Sequence, residues 1–167
     1  MKSKVLTTVV LCMAALAVVA QGPIGKGQNQ LNVGVGLSSW GIPVYVGFDH
    51  GVHQDVTLGG ELSFRSYRNN YSNKDYNHSI IGISGNGNYH FNTLLDIPKS
   101  WDLYAGLNIG FYIWNSSSAY RGSGSSGLGL GAQIGGRYYI TNKLGLNLEL
   151  GGGNAFSGGK FGLTIRL

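Results

Sequence analysis

The residue types best suited to acid–base and metal chemistry are concentrated in one short segment. Its sequence, Asp49-His50-Gly51-Val52-His53-Gln54-Asp55, holds two histidines and two aspartates. Imidazole and carboxylate groups are ligands for zinc and copper. A turn by itself defines no coordination geometry, however, and a polar turn between two strands explains the same residues. We therefore predict a turn here and no metal site.

His78, Ser79 and Asp75 form a second group that could do chemistry, because a histidine and an acid can activate a serine as a nucleophile. Neighbouring residues of a β-strand point to opposite faces. If both lie in a strand, His78 and Ser79 cannot readily share a proton. The polarity of a surface loop accounts for these residues more simply, and we predict no catalytic residues and no enzymatic activity.

A third segment, Gly122-Ser123-Gly124-Ser125-Ser126-Gly127, matches the G-x-G-x-x-G pattern of dinucleotide-binding proteins. That pattern binds pyrophosphate only between a strand and a helix, whose amino end holds the anion. Here the pattern follows a serine-rich stretch and leads into a strand. It is typical of a surface loop, so we expect no bound cofactor.

The elements that position these residues are predicted to be β-strands. Residues 144–150 carry leucine at every second position, with glycine, asparagine or glutamate between, and strand side chains alternate between two faces. Similar alternation recurs without intervening helices, and the pattern predicts an antiparallel, up-and-down, closed β-barrel. The eight predicted strands are 30–39, 42–51, 55–67, 79–91, 101–114, 127–140, 143–151 and 159–167.

The apolar face of these strands is predicted to meet lipid. A soluble barrel would show water a face rich in Lys and Glu, whereas the other face here is mainly Gly, Asn, Ser and Thr. Its few charges have both signs, as expected for a narrow lumen in which they pair. We predict a lumen charge network in which Glu61 is grouped with Arg65, and Arg137 with Glu149 and Arg166. A soluble periplasmic barrel that binds an apolar ligand remains the alternative.

Large aromatic residues lie near both ends of the predicted strands, as in the interfacial belts of membrane barrels. Trp40, Phe64 and Trp114 lie near one set of strand ends, and Trp101 and Tyr138 lie near the other. Aromatic residues also favour strands in general. Together with the polar inner face, their placement favours a membrane barrel.

The amino terminus is predicted to be a cleaved export signal, residues 1–20. Lys2 and Lys4 precede an apolar run that ends in small residues, with cleavage expected after Ala20. A short leader, 21–29, and a single barrel domain, 30–167, follow. Cys12 is the only cysteine, so the mature chain is predicted to have no disulfide. Because basic residues form no stripe, the net charge of +5 does not indicate nucleic-acid binding.

Together these features resemble the small OmpA/OmpX-like outer-membrane β-barrels of Gram-negative cell envelopes. The resemblance rests on the signal, the eight strands and the closing segment Lys160-Phe161-Gly162-Leu163-Thr164-Ile165-Arg166-Leu167. Family members usually end in an aromatic residue, which the barrel-assembly machinery reads, and this chain ends in Leu167. The glycine-rich style and the Ala20-Gln21 junction resemble proteins of the Bacteroidetes group.

The resemblance implies a monomer in the outer membrane, in contact with membrane lipid and lipopolysaccharide. It implies a structural or surface-interaction role, with polar extracellular loops at 68–78 and 115–126 as the sites for a partner. Some barrels of this size are enzymes that deacylate or acylate lipid A. A lipid-modifying enzyme, with His78 and Ser79 as candidate residues, is therefore a second alternative.

Overall fold

The computed structural model describes residues 22–38, 41–71, 74–116, 126–153 and 157–167, without the side chains of residues 67, 69–71, 74–76 and 116. Its strands close into one antiparallel barrel in chain order. The predicted all-β, eight-stranded barrel is confirmed. The strands are β1 (Asn29–Ser38), β2 (Val44–His53), β3 (Val56–Tyr71), β4 (Lys74–His90), β5 (Trp101–Ser116), β6 (Gly127–Tyr139), β7 (Leu144–Gly153) and β8 (Gly158–Arg166). A four-residue helix, α1 (Asn92–Leu95), lies between β4 and β5.

The residue alternation decides which side chains face the lumen. In β7, Leu148 is 57% exposed on the outer face, whereas the next residue toward the amino terminus, Asn147, is 6% exposed and faces inward. The other strands repeat this arrangement, with Leu, Ile, Val and Phe outside. On β5 the outer apolar residues run from Leu103 to Ile113, which corresponds to about 25 Å of height for a tilted strand. That height matches the apolar band of a membrane barrel.

The strand register fixes the tilt and the width of the barrel. Following directly paired residues around the wall from Ile113 leads back to the same strand at Leu103, ten residues away. A stagger of this size in eight strands implies a tilt of about 40° and a backbone radius of about 8 Å. A lumen this narrow is filled by side chains.

One predicted loop is wrong. Most of the segment 68–78 continues β3 and β4 as a hairpin, with pairing that extends to Tyr71 and Lys74. The alternation of apolar with small or polar residues that marks the other strands is absent there. Without an apolar face, the segment has the composition of a loop. The predicted loop 115–126 lies mostly outside the described residues, and β5 extends to Ser116.

The end of the barrel at which β1 begins and β8 ends is called the terminal end, and the opposite end the loop end. Residues 22–28 precede β1 and lie across the terminal end. The Gly27 amide donates to the Gly51 carbonyl oxygen (2.7 Å), and the Gly51 amide donates to the Gln28 carbonyl oxygen (2.9 Å). Ile24 is 1% exposed and Arg166 donates to the Gly22 carbonyl. This strap covers part of the opening.

Candidate functional site in the barrel lumen

The lumen holds a balanced set of charged side chains. In the described strands, four carboxylates and four basic groups face inward and are largely removed from solvent. Charges in a region of low dielectric constant are stable only when they are paired and hydrogen-bonded. The narrow lumen brings them close enough to do so. These residues are Asp49, Glu61, Asp102, Glu149, Arg65, Arg137, Lys160 and Arg166.

Arg137 is the centre of the network at the terminal end. Its Nη2 donates to Asp49 Oδ2 and its Nη1 to Asp102 Oδ2, each at 2.9 Å. The guanidinium carbon lies 4.2 Å from the centroid of the Tyr104 ring. β2, β5 and β6 each contribute one member of this ion group, which therefore crosses the lumen. Charge-assisted hydrogen bonds of this kind are shorter and stronger than neutral ones.

Each carboxylate of this group has further partners. Asp49 Oδ2 also accepts from Gln30 Nε2 and Asn32 Nδ2, both at 2.9 Å. Asp102 Oδ1 lies 2.6 Å from His90 Nδ1, and the other ring nitrogen of His90 lies 3.0 Å from Thr57 Oγ1. The network therefore extends across the terminal end of the lumen.

A second ion group, the central triplet, lies nearer the loop end and consists of Glu61, Lys160 and Glu149. Lys160 Nζ lies 2.8 Å from Glu61 Oε2 and 3.0 Å from Glu149 Oε1. The side chains of Glu61 and Glu149 are 14% and 15% exposed, so this group still meets lumen water. It connects β3, β7 and β8 across the lumen.

Tyr104 joins the two ion groups. Its hydroxyl donates to Glu149 Oε2 at 3.0 Å, and its ring covers the Arg137 guanidinium. One aromatic side chain thus contacts an anion of the central triplet and the cation of the other group. The polar contacts consequently run without a break from Thr57, near the terminal end, to Glu61.

Each lumen tyrosine of the described strands lies opposite a glycine on a neighbouring strand. A Cβ atom on Gly135 would lie 2.3 Å from the Tyr104 ring, and one on Gly145 would lie 2.9 Å from the Tyr139 ring. Each ring occupies the space that a side chain on the glycine would need. Packing an aromatic ring over a glycine is a known way to support strands. The pairs are Tyr45–Gly34, Tyr104–Gly135, Tyr112–Gly82 and Tyr139–Gly145.

Little free space is left between these side chains. Two cavities in the lumen, one beside Arg65 and Tyr112 and one beside Asp49 and Arg137, measure about 20 Å³ each. That volume holds roughly one water molecule. The described lumen therefore resembles a packed polar core more than an open channel.

The terminal-end network includes a hydrogen-bonded chain of hydroxyl, imidazole and carboxylate, Thr57–His90–Asp102. This order of groups is the one that activates hydroxyl nucleophiles in hydrolases. All three residues are 0% exposed, and the Asp102 carboxylate is also bound to Arg137. A substrate cannot reach the Thr57 hydroxyl in this arrangement, so the geometry supports a structural role.

The structure places the five predicted lumen charges on the inner face. Glu61 and Glu149 bind Lys160, whereas Arg137 binds Asp49 and Asp102. Their partners therefore differ from the grouping that the sequence suggested, which was Glu61 with Arg65 and Arg137 with Glu149 and Arg166.

The two remaining predicted residues lie near opposite ends of the lumen. Arg65 lies toward the loop end, where it donates to Ser38 Oγ at 3.3 Å. The Arg166 guanidinium lies 3.6 Å from the Tyr139 ring centroid, near the terminal end. The Tyr139 hydroxyl donates to Gln30 Oε1 at 3.0 Å and Gln30 donates to Asp49, so Arg166 is linked to the Arg137 group through Tyr139.

Sequence reasoning missed three of the ion partners, Asp49, Asp102 and Lys160. A usable signal was present, because each of them alternates with outward apolar residues. Asp102 lies between Trp101 and Leu103, which face outward. The same alternation placed the predicted charges on the inner face.

The predicted interfacial aromatic residues do not all lie on one face. Phe64, Trp101 and Tyr138 are exposed on the outer face, and the Trp101 and Tyr138 ring centroids lie 4.8 Å apart. Trp114 is at the loop end but follows the outward-facing Ile113, so it lies on the inner face, with its ring 5.9 Å from that of His78. Trp40 lies outside the described residues.

The other candidate groups are not brought together. Asp49 binds Arg137 inside the lumen, whereas His50 lies on the exposed face beside Asn29 Oδ1, at 2.6 Å. His78 is buried on the inner face and Ser79 lies on the outer face, opposite Ser66. The glycine-rich pattern at 122–127 lies mostly outside the described residues.

No sequence-defined protein family matches the chain, and no curated protein matches it. Solved structures do match. OprG from Pseudomonas aeruginosa aligns with 89% of this chain and 99% of its own, with a TM-score of 0.65 and 8% identity. Neisserial surface protein A aligns over 84% and 94%, with a TM-score of 0.54 and 16% identity.

A third similar structure is a transmembrane β-barrel from de novo design, with a TM-score of 0.52 and 17% identity over 86% of this chain and 98% of its own. Because a designed protein shares the fold, the fold alone does not specify a biological role. The chain has the fold of the small eight-stranded outer-membrane β-barrels. Its apolar outer face is the surface that such a barrel presents to lipid.

Proposed function

We propose that this protein is a non-catalytic, monomeric barrel of the outer membrane, with a closed lumen and a role at the cell surface. The observation that carries the proposal is the contrast between the two faces of the wall. The outer face is apolar over the height of a bilayer, and the inner face is filled by paired charges. A wall of this kind resides in lipid without providing a pore.

The closed lumen is supported by its contacts and by its small cavities. An ion would have to pass both the central triplet and the Arg137 group, and each crosses the lumen between opposite strands. Opening a path requires the separation of paired charges in a region of low dielectric constant, which is costly. The barrel therefore acts as a rigid support.

The surface role is assigned to the loop end. The β3–β4 hairpin continues past the last outward apolar residue of β3, Phe64, to the pair Tyr71–Lys74. Rigid elements that project into water from a stable scaffold are suited to contact a partner. With an even number of strands and both termini in the periplasm, this hairpin lies outside the cell.

The route to the membrane follows from the same proposal. Residues 1–20 serve as the export signal, and β8 with the following Leu167 is the segment offered to the barrel-assembly machinery. Lipid and lipopolysaccharide then surround the apolar band. Residues 21–29 form the short leader, part of which is the strap across the terminal end.

Location and orientation can be tested on cells. We expect the protein in the outer-membrane fraction, with a heat-dependent shift in gel mobility after boiling in SDS. We also expect trypsin added to intact cells to cleave the β3–β4 hairpin at Arg68 or Lys74. An unshifted band in the soluble periplasmic fraction, or cleavage only in permeabilised cells, would contradict the proposal.

The closed lumen can be tested in planar lipid bilayers. The refolded wild type is expected to show no steady single-channel conductance. The double variant Tyr104→Ala, Lys160→Ala removes the side chains that link the two ion groups, and we expect it to conduct. Leu107→Ala on the outer face is the matched control and should remain silent. Steady conductance of the wild type would show an open pore.

A further inference from the structure

The outer face of β3, β4 and β5 changes character at the loop end. Phe64, Ile81 and Ile113 are directly paired neighbours and are all exposed, and they form the last apolar row of these strands. Strand pairing continues beyond them, to Ser116 on β5 and to Tyr71 on β3. The wall is therefore taller than its apolar band on this side.

The rows beyond the apolar band carry hydrogen-bonding side chains on the same outer face. Ser66, Ser79 and Asn115 form the first row, and Arg68 and Asn77 form the second. All are exposed except Ser79, which is half-buried, and Arg68 Nε donates to Asn77 Oδ1 at 3.3 Å. We call these five residues the collar.

The collar lies at the depth of lipid headgroups. Each step of two residues along a strand tilted by 40° raises the position by about 5 Å. Directly paired residues are not level in a tilted barrel, and each strand from β3 to β5 raises a row by about 3 Å. Ser66 therefore lies at about the height of Ile113, and the other four collar residues lie about 2–7 Å beyond it. Headgroups occupy the layer immediately outside the hydrocarbon core, so the collar faces them sideways.

The chemistry of the collar suits a phosphorylated sugar. The five positions hold two hydroxyls, two amides and one guanidinium, with no carboxylate among them. A guanidinium binds phosphate oxygens in a planar, often bidentate geometry. In the strand register, Asp75 pairs with Asn70, one row further along the hairpin than the pair Arg68–Asn77.

The collar occupies one side of the barrel. On the described parts of β1 and β6, the outermost outward residues at this end are Leu37 and Leu128, both exposed and apolar. Ile42, just before β2, is exposed as well. A lipid headgroup beside these strands meets no comparable group of donors in the described wall.

We propose that the collar is a binding site for the phosphorylated sugar headgroup of an outer-leaflet lipid, namely lipopolysaccharide. Arg68 binds a phosphate, and Ser66, Asn77, Ser79 and Asn115 bind sugar or phosphate oxygens. The acyl chains of the same lipid lie against the row formed by Phe64, Ile81 and Ile113. This inference rests on the proposed location in the outer membrane and assigns one face of the barrel to one lipid.

The test compares the unfolding temperature of the refolded full chain, read from the heat-dependent gel shift. The protein is measured in neutral detergent micelles alone and with lipopolysaccharide, phosphatidylcholine or inorganic phosphate. Ligand binding to the folded state raises the midpoint. We expect lipopolysaccharide to raise it by about 4 °C or more, with little effect of the other two additions.

Arg68→Gln should lose at least half of the rise caused by lipopolysaccharide. Lys143→Gln, at the exposed terminal end, changes the charge equally and should keep the whole rise. The double variant Ser66→Ala, Asn115→Ala removes donors without altering charge and should also reduce it. A full rise in both collar variants, or an equal loss in Lys143→Gln, would overturn the assignment.

Two further outcomes distinguish a lipid ligand from free phosphate, and a failure of the lipid site from a failure of the proposed membrane barrel. An equal rise with inorganic phosphate would show an anion site that does not select lipid, and would overturn the lipid assignment. The absence of any heat-dependent gel shift in the wild type would instead contradict the membrane barrel itself.

Discussion

The inner and outer faces of this barrel are made by the same strands, yet they are stabilised in different ways. An outward leucine such as Leu148 requires only an apolar environment, and many side chains of similar character would serve. An inward residue such as Arg137 has named partners at defined distances, Asp49 and Asp102 at 2.9 Å. The outer face is therefore generic, and the inner face is specific.

This difference predicts where substitutions should affect stability. On the outer face, polarity decides the effect and shape matters little, because lipid adapts to shape. On the inner face, shape and charge both matter, since the lumen is narrow and its dielectric constant is low. The following substitutions test that contrast in order of expected effect.

Arg137→Met should produce the largest loss. It leaves Asp49 and Asp102 buried without their shared cation, and the expected decrease in the free energy of unfolding is about 3–5 kcal/mol. Urea unfolding in phospholipid vesicles measures it. The triple variant with Asp49→Asn and Asp102→Asn removes the unpaired charges and should regain at least half of the loss. A single variant as stable as the wild type would refute the role of this ion group.

Leu148→Arg tests the outer face. An arginine near the middle of the apolar band should cost about 2–4 kcal/mol in vesicles. Leu148→Met keeps an apolar side chain of similar volume and should cost little. If the arginine cost nothing in bilayer refolding, the assignment of this face to lipid would be wrong.

Lys160→Met tests the central triplet. It leaves Glu61 and Glu149 together without a cation, and we expect a loss of about 2–3 kcal/mol, less than at Arg137 because both carboxylates reach lumen water. Adding Glu61→Gln and Glu149→Gln should recover most of it. The same urea titration provides the measurement, and an unchanged midpoint would show that water alone satisfies the carboxylates.

Gly135→Ala tests the tyrosine–glycine pairs. The new methyl group would overlap the Tyr104 ring, which Arg137 and Glu149 hold in place, so we expect a loss of about 1–3 kcal/mol. Gly85→Ala is the matched control, since its nearest neighbour would be 3.7 Å away on the outer face. Equal effects of the two variants in thermal unfolding would remove the distinction between the faces.

Leu107→Ile should have the smallest effect. The side chain is 70% exposed on the outer face and its volume is unchanged, so the expected loss is below about 0.5 kcal/mol. A loss above that in vesicle unfolding would show that the outer face also depends on shape, as it would if another protein covered it.

Much of the wall could be predicted from the sequence. The leucine alternation at 144–150 indicated β7, and similar alternation indicated the other strands to within a few residues at most ends. The large exception is the β3–β4 hairpin beyond Phe64, where apolar and polar residues no longer alternate and the period of a strand therefore cannot be recognised. The strap at 22–28 was also expected only as a leader, because seven residues with little pattern do not reveal what they contact.

The lumen could be predicted only in part. Alternation assigns Arg137 and Glu61 to the inner face, but it does not identify their partners. Glu61 and Lys160 are separated by 99 residues, and Arg137 and Asp49 by 88. Contacts at such separations depend on the register of all the strands between them.

The sequence by itself determined the strand content and the face of each residue, because the two-residue period of a strand is a local property of the chain. Tertiary structure alone decided which inward residues meet. Closure with a stagger of ten residues sets the height of every side chain in the lumen. That stagger places Glu61 across the lumen from Lys160, and no local pattern encodes it.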